Sequence, residues 1–236
     1  MATALPMVLN QDALTAAETA LRLSVQLAAS TTLILAVLAI PLGYWLATTD
    51  HRLKTLVNAL VLLPLVLPPT VLGFYLLVLL GPSGWIGELT TSLGLGLWSF
   101  RFEGLLLGSV IFSLPFAVQP IQMGFESLGR RPLDIAHSVG ATPVDAFVTV
   151  ALPAIAPSLL TAAALTFTHT LGEFGVALMV GGNIEGRTRL MSLEIYTAVE
   201  RMDYSVAHLL AAGLVLLSML CLLALLRFKR APRGSP

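Results

Sequence analysis

The chain has 236 residues, of which 56% are hydrophobic and only 11% charged, against about 25% charged in soluble domains; that leaves too little polar surface for a water-soluble fold. Its 13 basic and 13 acidic residues cancel, so the composition offers no basic face of the kind that holds nucleic acid, and the partner it implies is membrane lipid. The single cysteine, Cys221, excludes an intrachain disulfide framework or a cysteine-based metal site.

A bilayer core about 30 Å thick takes roughly 20 mostly apolar residues as helix, because lipid offers backbone groups no partner. Five stretches meet this requirement, at about 23–46, 56–80, 104–123, 151–180 and 206–226. The second contains Leu63-Pro64-Leu65-Val66-Leu67-Pro68-Pro69. Three prolines so close together interrupt a helix, and broken helices at membrane depth face protein or a cavity. An odd number of spans puts the termini on opposite sides. Arg52, Lys54, Arg130, Arg131, Arg227, Lys229, Arg230 and Arg233 fall on one side, and Arg22, Arg101, Arg187, Arg189 and Arg201 on the other. The side richer in basic residues is the cytoplasmic one, which places the N-terminus outside and the C-terminus inside.

Between the third and fourth stretches lies a polar cytoplasmic segment, 129–150. Pro132 suits the first position of a helix, Asp134 its positive-ended first turn, and Gly140 a left-handed stop. Thr142, Pro143 and Asp145 then restart a second helix through a capping box. Leu133, Ala136 and Val139, spaced by three, are expected to bury one face of the first helix, with Asp134, His137 and Ser138 pointing elsewhere. The product is a stiff cytoplasmic knob.

The spacing through Asp134, Ala136, Gly140, Val150, Leu152 and Pro153 resembles the EAA motif of ABC-importer permeases, with Asp for the usual Glu at 134 and Ile135 for the usual first Ala. The resemblance implies an all-α integral membrane protein: a single permease domain over 1–236 with five transmembrane helices of the type I ABC-importer fold and a cytoplasmic coupling helix. It assigns Asp134, Ile135, Ala136, Gly140, Leu152 and Pro153 to the surface that docks on a separate ATPase subunit. No Gly-Lys pair occurs, so the chain lacks a P-loop. It is expected to be no enzyme itself and to bind no cofactor, with ATP and Mg on the partner subunit.

In the fourth stretch, Thr166, His169, Thr170 and Glu173 fall at helical offsets of zero, three, four and seven and form one polar stripe. Such a stripe either packs against another helix or lines a path. Together with the hydroxyls of Ser158 and Thr161 it is the candidate translocation path, and no metal site is expected. Counting about 1.5 Å per residue from Pro153 puts Glu173 near the outer face. Leu171-Gly172-Glu173-Phe174-Gly175, Gly181-Gly182-Asn183-Ile184 and the proline-rich second stretch resemble the molybdate and sulfate permease group, with His169 where arginine is more usual. The short, five-span length favours molybdate or tungstate over sulfate or thiosulfate. The resemblance further implies a homodimer, two ATP-binding cassette subunits, a periplasmic oxyanion-binding protein docked on the loops 81–103 and 182–204, and a place in the bacterial cytoplasmic membrane. The rivals are a secondary transporter or channel, which would need no ATPase partner, and an intramembrane enzyme, for which the sequence has no paired-acid or His-Glu-x-x-His spacing.

Overall fold

The computed structural model describes residues 11–229. In chain order the elements are α1 (Gln11–Thr48), α2 (Lys54–Val66), α3 (Pro69–Leu80), α4 (Trp85–Ser92), α5 (Phe102–Leu128), α6 (Arg131–Ser138), α7 (Pro143–Ala146), a π-helical turn (Phe147–Ala151), α8 (Leu152–Ala154), α9 (Ala156–Leu171), α10 (Gly175–Gly181), α11 (Met191–Glu200) and α12 (Tyr204–Lys229). Of the basic residues that set the expected orientation, Arg230 and Arg233 lie outside the described residues.

Among the described residues, three helices are long and apolar enough to cross a bilayer alone, over Leu14–Thr48, Phe102–Leu128 and Tyr204–Ala224. The other two expected spans exist only as bent pairs. Lys54–Val66 and Pro69–Leu80 meet at 110°, and Pro143–Ala154 meets Ala156–Leu171 at 67°. The first bend is the one the prolines require: Leu67 and Pro68 are extended, with ψ 137° and 133°, because a residue before proline avoids the helical region. The expected continuous fourth span is corrected more heavily. It bends at Ile155, stops at Leu171 and resumes at Gly175 as the separate α10.

The core is a three-helix seam of α1, α5 and α9, in which Leu35, Val118, Ile121, Phe125 and Ala162 interlock. Leu27, Leu105, Ala177, Leu190 and Leu193 close its other end, and Leu76 and Leu80 of α3 pack on Val176 and Val180 of α10. The helix α12 lies against α9 and α11 and leaves Val215, Leu216 and Met219 exposed. This is stable in a bilayer, where lipid tails are as apolar as leucine. The expected outer loop 182–204 contains α11, tied to α1 by the buried Met191 N–H donating to Ser24 Oγ at 2.8 Å.

Candidate functional site

The knob expected at 129–150 folds as its turn chemistry requires. The helix α6 runs from Arg131, with Pro132 at its second position, to Ser138. Gly140, at φ +94°, ends it with a full Schellman closure. The Ala141 N–H donates to the Ala136 carbonyl at 3.0 Å and the Gly140 N–H to the His137 carbonyl at 3.0 Å, satisfying carbonyls the helix leaves open. Thr142 and Asp145 then form a reciprocal capping box on α7, with the Asp145 N–H donating to Thr142 Oγ1 at 3.2 Å and the Thr142 N–H to Asp145 Oδ2 at 3.3 Å. Two capped helices with no slack between them make a rigid projection.

Its apolar face differs from the expected one. Leu133 and Ala136 pack inward, but Val139 is 81% exposed, because the helix has already closed on Gly140 and the residue sits at the free tip. Ile135, Val144 and Val148 are exposed with it. The segment thus leaves four aliphatic side chains exposed. Asp134 stays exposed, Gly140 shapes the tip, and Leu152 and Pro153 begin the short α8 before the bend into α9.

The polar stripe of α9 turns toward α5. Thr166, Thr170 and Glu173 are buried, Glu173 at 2% exposure, so in this conformation they are closed off from the surface of the chain. Ser109 Oγ donates to Glu173 Oε2 at 2.6 Å. Ser113 Oγ lies 3.0 Å from Thr170 Oγ1 and 2.9 Å from His169 Nδ1, and the His169 ring stacks on Phe116 at 4.0 Å between centroids. Glu173 therefore sits buried inside the protein at the point where α9 breaks. Its second oxygen, Oε1, has no hydrogen-bond partner among the described residues, nor has the Thr166 hydroxyl. Thr166 borders an apolar cavity of about 260 Å³ between α1, α5 and α9. Ser158 and Thr161 remain half-buried, with the Thr161 hydroxyl turned back to donate to the Pro157 carbonyl at 2.7 Å.

The two interrupted helices meet. A Cβ added to Gly175 would stand 2.8 Å from Pro69 Cβ, so the start of α10 rests directly on the start of α3. Ser192 of α11 donates to the Glu173 carbonyl, which pins the second break from the other side. Thr70, Phe74, Gly172 and Phe174 are exposed around this junction. Sequence reasoning missed Ser109 and Ser113 as partners of the stripe. Their signal was present, as two hydroxyls one helical turn apart in the apolar first half of the third span.

Known proteins similar to this chain are transport permeases. A family model described as binding-protein-dependent transport system inner membrane component matches residues 39–231. The molybdenum transport system permease protein ModB of Azotobacter vinelandii is 53% identical over 215 residues, covering 91% of this chain and 95% of its own. ModB of Haemophilus influenzae is 34% identical, covering 77% and 79%. The sulfate transport system permease protein CysT of Escherichia coli is 33% identical over 73% of this chain, and the match spans only 62% of its length. Among solved structures, a chain of the inward-facing MetNI methionine ABC transporter is similar with a TM-score of 0.73 at 18% identity, covering 94% of this chain and 99% of that one. A chain of a bacterial alginate ABC transporter gives a TM-score of 0.74 at 16% identity, covering 90% and 77%. At these identities the structures establish the fold alone, and it is that of ABC-importer permeases.

Proposed function

Since the chain belongs to the binding-protein-dependent transport system inner membrane component family, we propose that it is the permease subunit of an ATP-driven importer of molybdate, or of the equally charged and sized tungstate. The single observation that carries the substrate is the similarity, along nearly the whole of both chains, to a permease named for molybdenum transport. The sulfate permeases match less of their own length. In this reading two copies surround a central path, each engages one ATP-binding cassette subunit that holds the ATP and Mg, and a periplasmic oxyanion-binding protein delivers substrate to the outer face. The excess of Lys and Arg on one side supports a cytoplasmic C-terminus and an external N-terminus.

The knob is the ATPase-docking part. Ile135, Val139, Val144 and Val148 supply the apolar contact, Asp134 a charge at its edge, and Ala136 and Gly140 the close packing and sharp turn. Leu152 and Pro153 carry movement into α9. The substrate path is best supported at the junction of the interrupted helices, because irregular backbone at membrane depth is tolerated where it is covered by protein or lines a cavity. There the exposed Thr70 hydroxyl offers a hydrogen bond without a fixed cation, which suits a conduit that must release a dianion. His169, Thr170 and Glu173 act from behind this surface through their bonds to Ser109 and Ser113 of α5, Thr166 borders the cavity between α1, α5 and α9, and Ser158 and Thr161 flank the path on the cytoplasmic side.

Deleting the gene is expected to abolish accumulation of molybdate from low external concentrations and to leave sulfate uptake unchanged, measured with labelled oxyanions in whole cells. Loss of sulfate uptake with molybdate uptake intact would favour the sulfate reading.

A further inference from the structure

The knob meets the membrane helices through an aromatic joint. Phe147, the first residue of the π-helical turn, stands with its ring centroid 5.1 Å from that of Tyr44 in α1 and 6.0 Å from that of Phe125 in α5. Tyr44 and Phe125 are themselves 5.1 Å apart, edge to face. The residues before and after this cluster, Ala146 and Ala151, are fully buried, so the turn is held at both ends. A π turn accommodates one more residue than an α turn, and here it stands where the chain passes from the knob into the helix leading to α9. A second, polar hold lies beside it: Arg130 Nη2 donates to the Thr48 carbonyl at the end of α1 at 2.8 Å and to Asp50 at 3.3 Å. That contact satisfies a carbonyl that α1 cannot satisfy itself and places a cation at its negative end.

We propose that Phe147 is the positioning residue that makes the knob and the inner ends of α1 and α5 move as one body, so that a displacement of the exposed tip at Val139 reaches α1 and α5 through the Phe147–Tyr44–Phe125 ring cluster and not only along the chain into α9. The proposal rests on the transporter reading above. Three rings from segments distant in sequence interlock, Phe125 buried and Tyr44 and Phe147 half-buried against the core, and packed interiors transmit displacement because they resist compression. Covalent continuity alone would deliver the motion only to α9, through the 67° bend at Ile155, and not to α1 and α5.

The test uses the full assembly in proteoliposomes, with the ATPase and the binding protein, and reads uptake and ATP hydrolysis together. Wild-type uptake in the same vesicles holds the transport reading fixed, so failure of the variants alone bears on the joint. Phe147→Ala is expected to keep hydrolysing ATP while uptake per ATP falls roughly tenfold, a coupling loss of ordinary size, and Phe147→Tyr to restore it. Uptake and hydrolysis falling in parallel, or neither changing, would overturn the proposal. Should Phe147→Ala fail to assemble, the double variant Tyr44→Cys with Phe147→Cys in a Cys221→Ala background decides. Bridging the two thiols with a short bifunctional reagent is expected to raise uptake per ATP above that of the unbridged form. A bridge that leaves it unchanged or stops transport would show that the two segments must move apart, and the proposal fails.

Discussion

Replacing Gly140 by proline is expected to leave the chain in the membrane and abolish both its association with the ATPase and uptake. Gly140 sits at φ +94°, whereas the proline ring holds φ near −65°. The substitution also removes the N–H that donates to the His137 carbonyl. The Schellman closure and the turn into the capping box are lost together, at a local cost of roughly 3 kcal/mol or more, and α6 no longer holds a fixed direction relative to α7. Gly140→Ala gives the graded comparison. Nothing lies within 4 Å of an added Cβ, so the only cost is the left-handed backbone, about 1–2 kcal/mol for an L residue. Co-purification with the ATPase and labelled-substrate uptake should rank wild type above alanine and alanine above proline. A proline variant that still couples ATP hydrolysis to uptake would remove the docking role from this turn.

The second large effect is expected at Glu173. Glu173→Ala deletes the acceptor of the Ser109 hydroxyl and empties a fully enclosed site at the break between α9 and α10. An orphaned buried hydroxyl and a cavity together cost on the order of 2–4 kcal/mol. Glu173→Gln keeps a carbonyl oxygen for Ser109 and should remain close to wild type in both thermal stability in detergent and uptake. Ser109→Ala combined with Glu173→Ala should cost less than the sum of the two singles, since each already removes the shared bond. Additive losses would mean that Glu173 is held by something other than Ser109. Should glutamine prove as damaging as alanine, the carboxyl group itself would be required and its role as a packing latch would be wrong.

Much of this was legible in the residues, wherever local chemistry decides the outcome. The first, third and fifth apolar stretches, the interruption at Leu67-Pro68-Pro69 and the Gly140–Thr142 turn appear where hydropathy, missing N–H groups and capping preferences put them. The break at Gly172–Phe174 was not legible, because one glycine between Leu171 and Phe174 does not stop a helix unaided. Contacts remote in sequence stabilise that break: Ser109 and Ser192 on either side of Glu173, and Pro69 against Gly175. The exposure of Val139 likewise depends on where the neighbouring helices are, since spacing identifies a shared face and not which side is covered. The joint of Tyr44, Phe125 and Phe147 carries no motif at all, as three aromatics on three segments acquire meaning only when the fold brings their rings together. The α9 stripe was recognised as a set, and its direction was fixed by hydroxyls on α5.

The central claim is that the cytoplasmic knob of this chain converts ATP hydrolysis on another subunit into movement of molybdate through the membrane. Vesicles reconstituted with this chain, its cognate ATPase and the oxyanion-binding protein, loaded with ATP and Mg and given labelled molybdate outside, test it most directly. Accumulation that requires ATP and the binding protein, and that excess sulfate does not displace, is the expected result. Molybdate entry that proceeds equally without ATP, or accumulation of sulfate in preference to molybdate, would contradict the account.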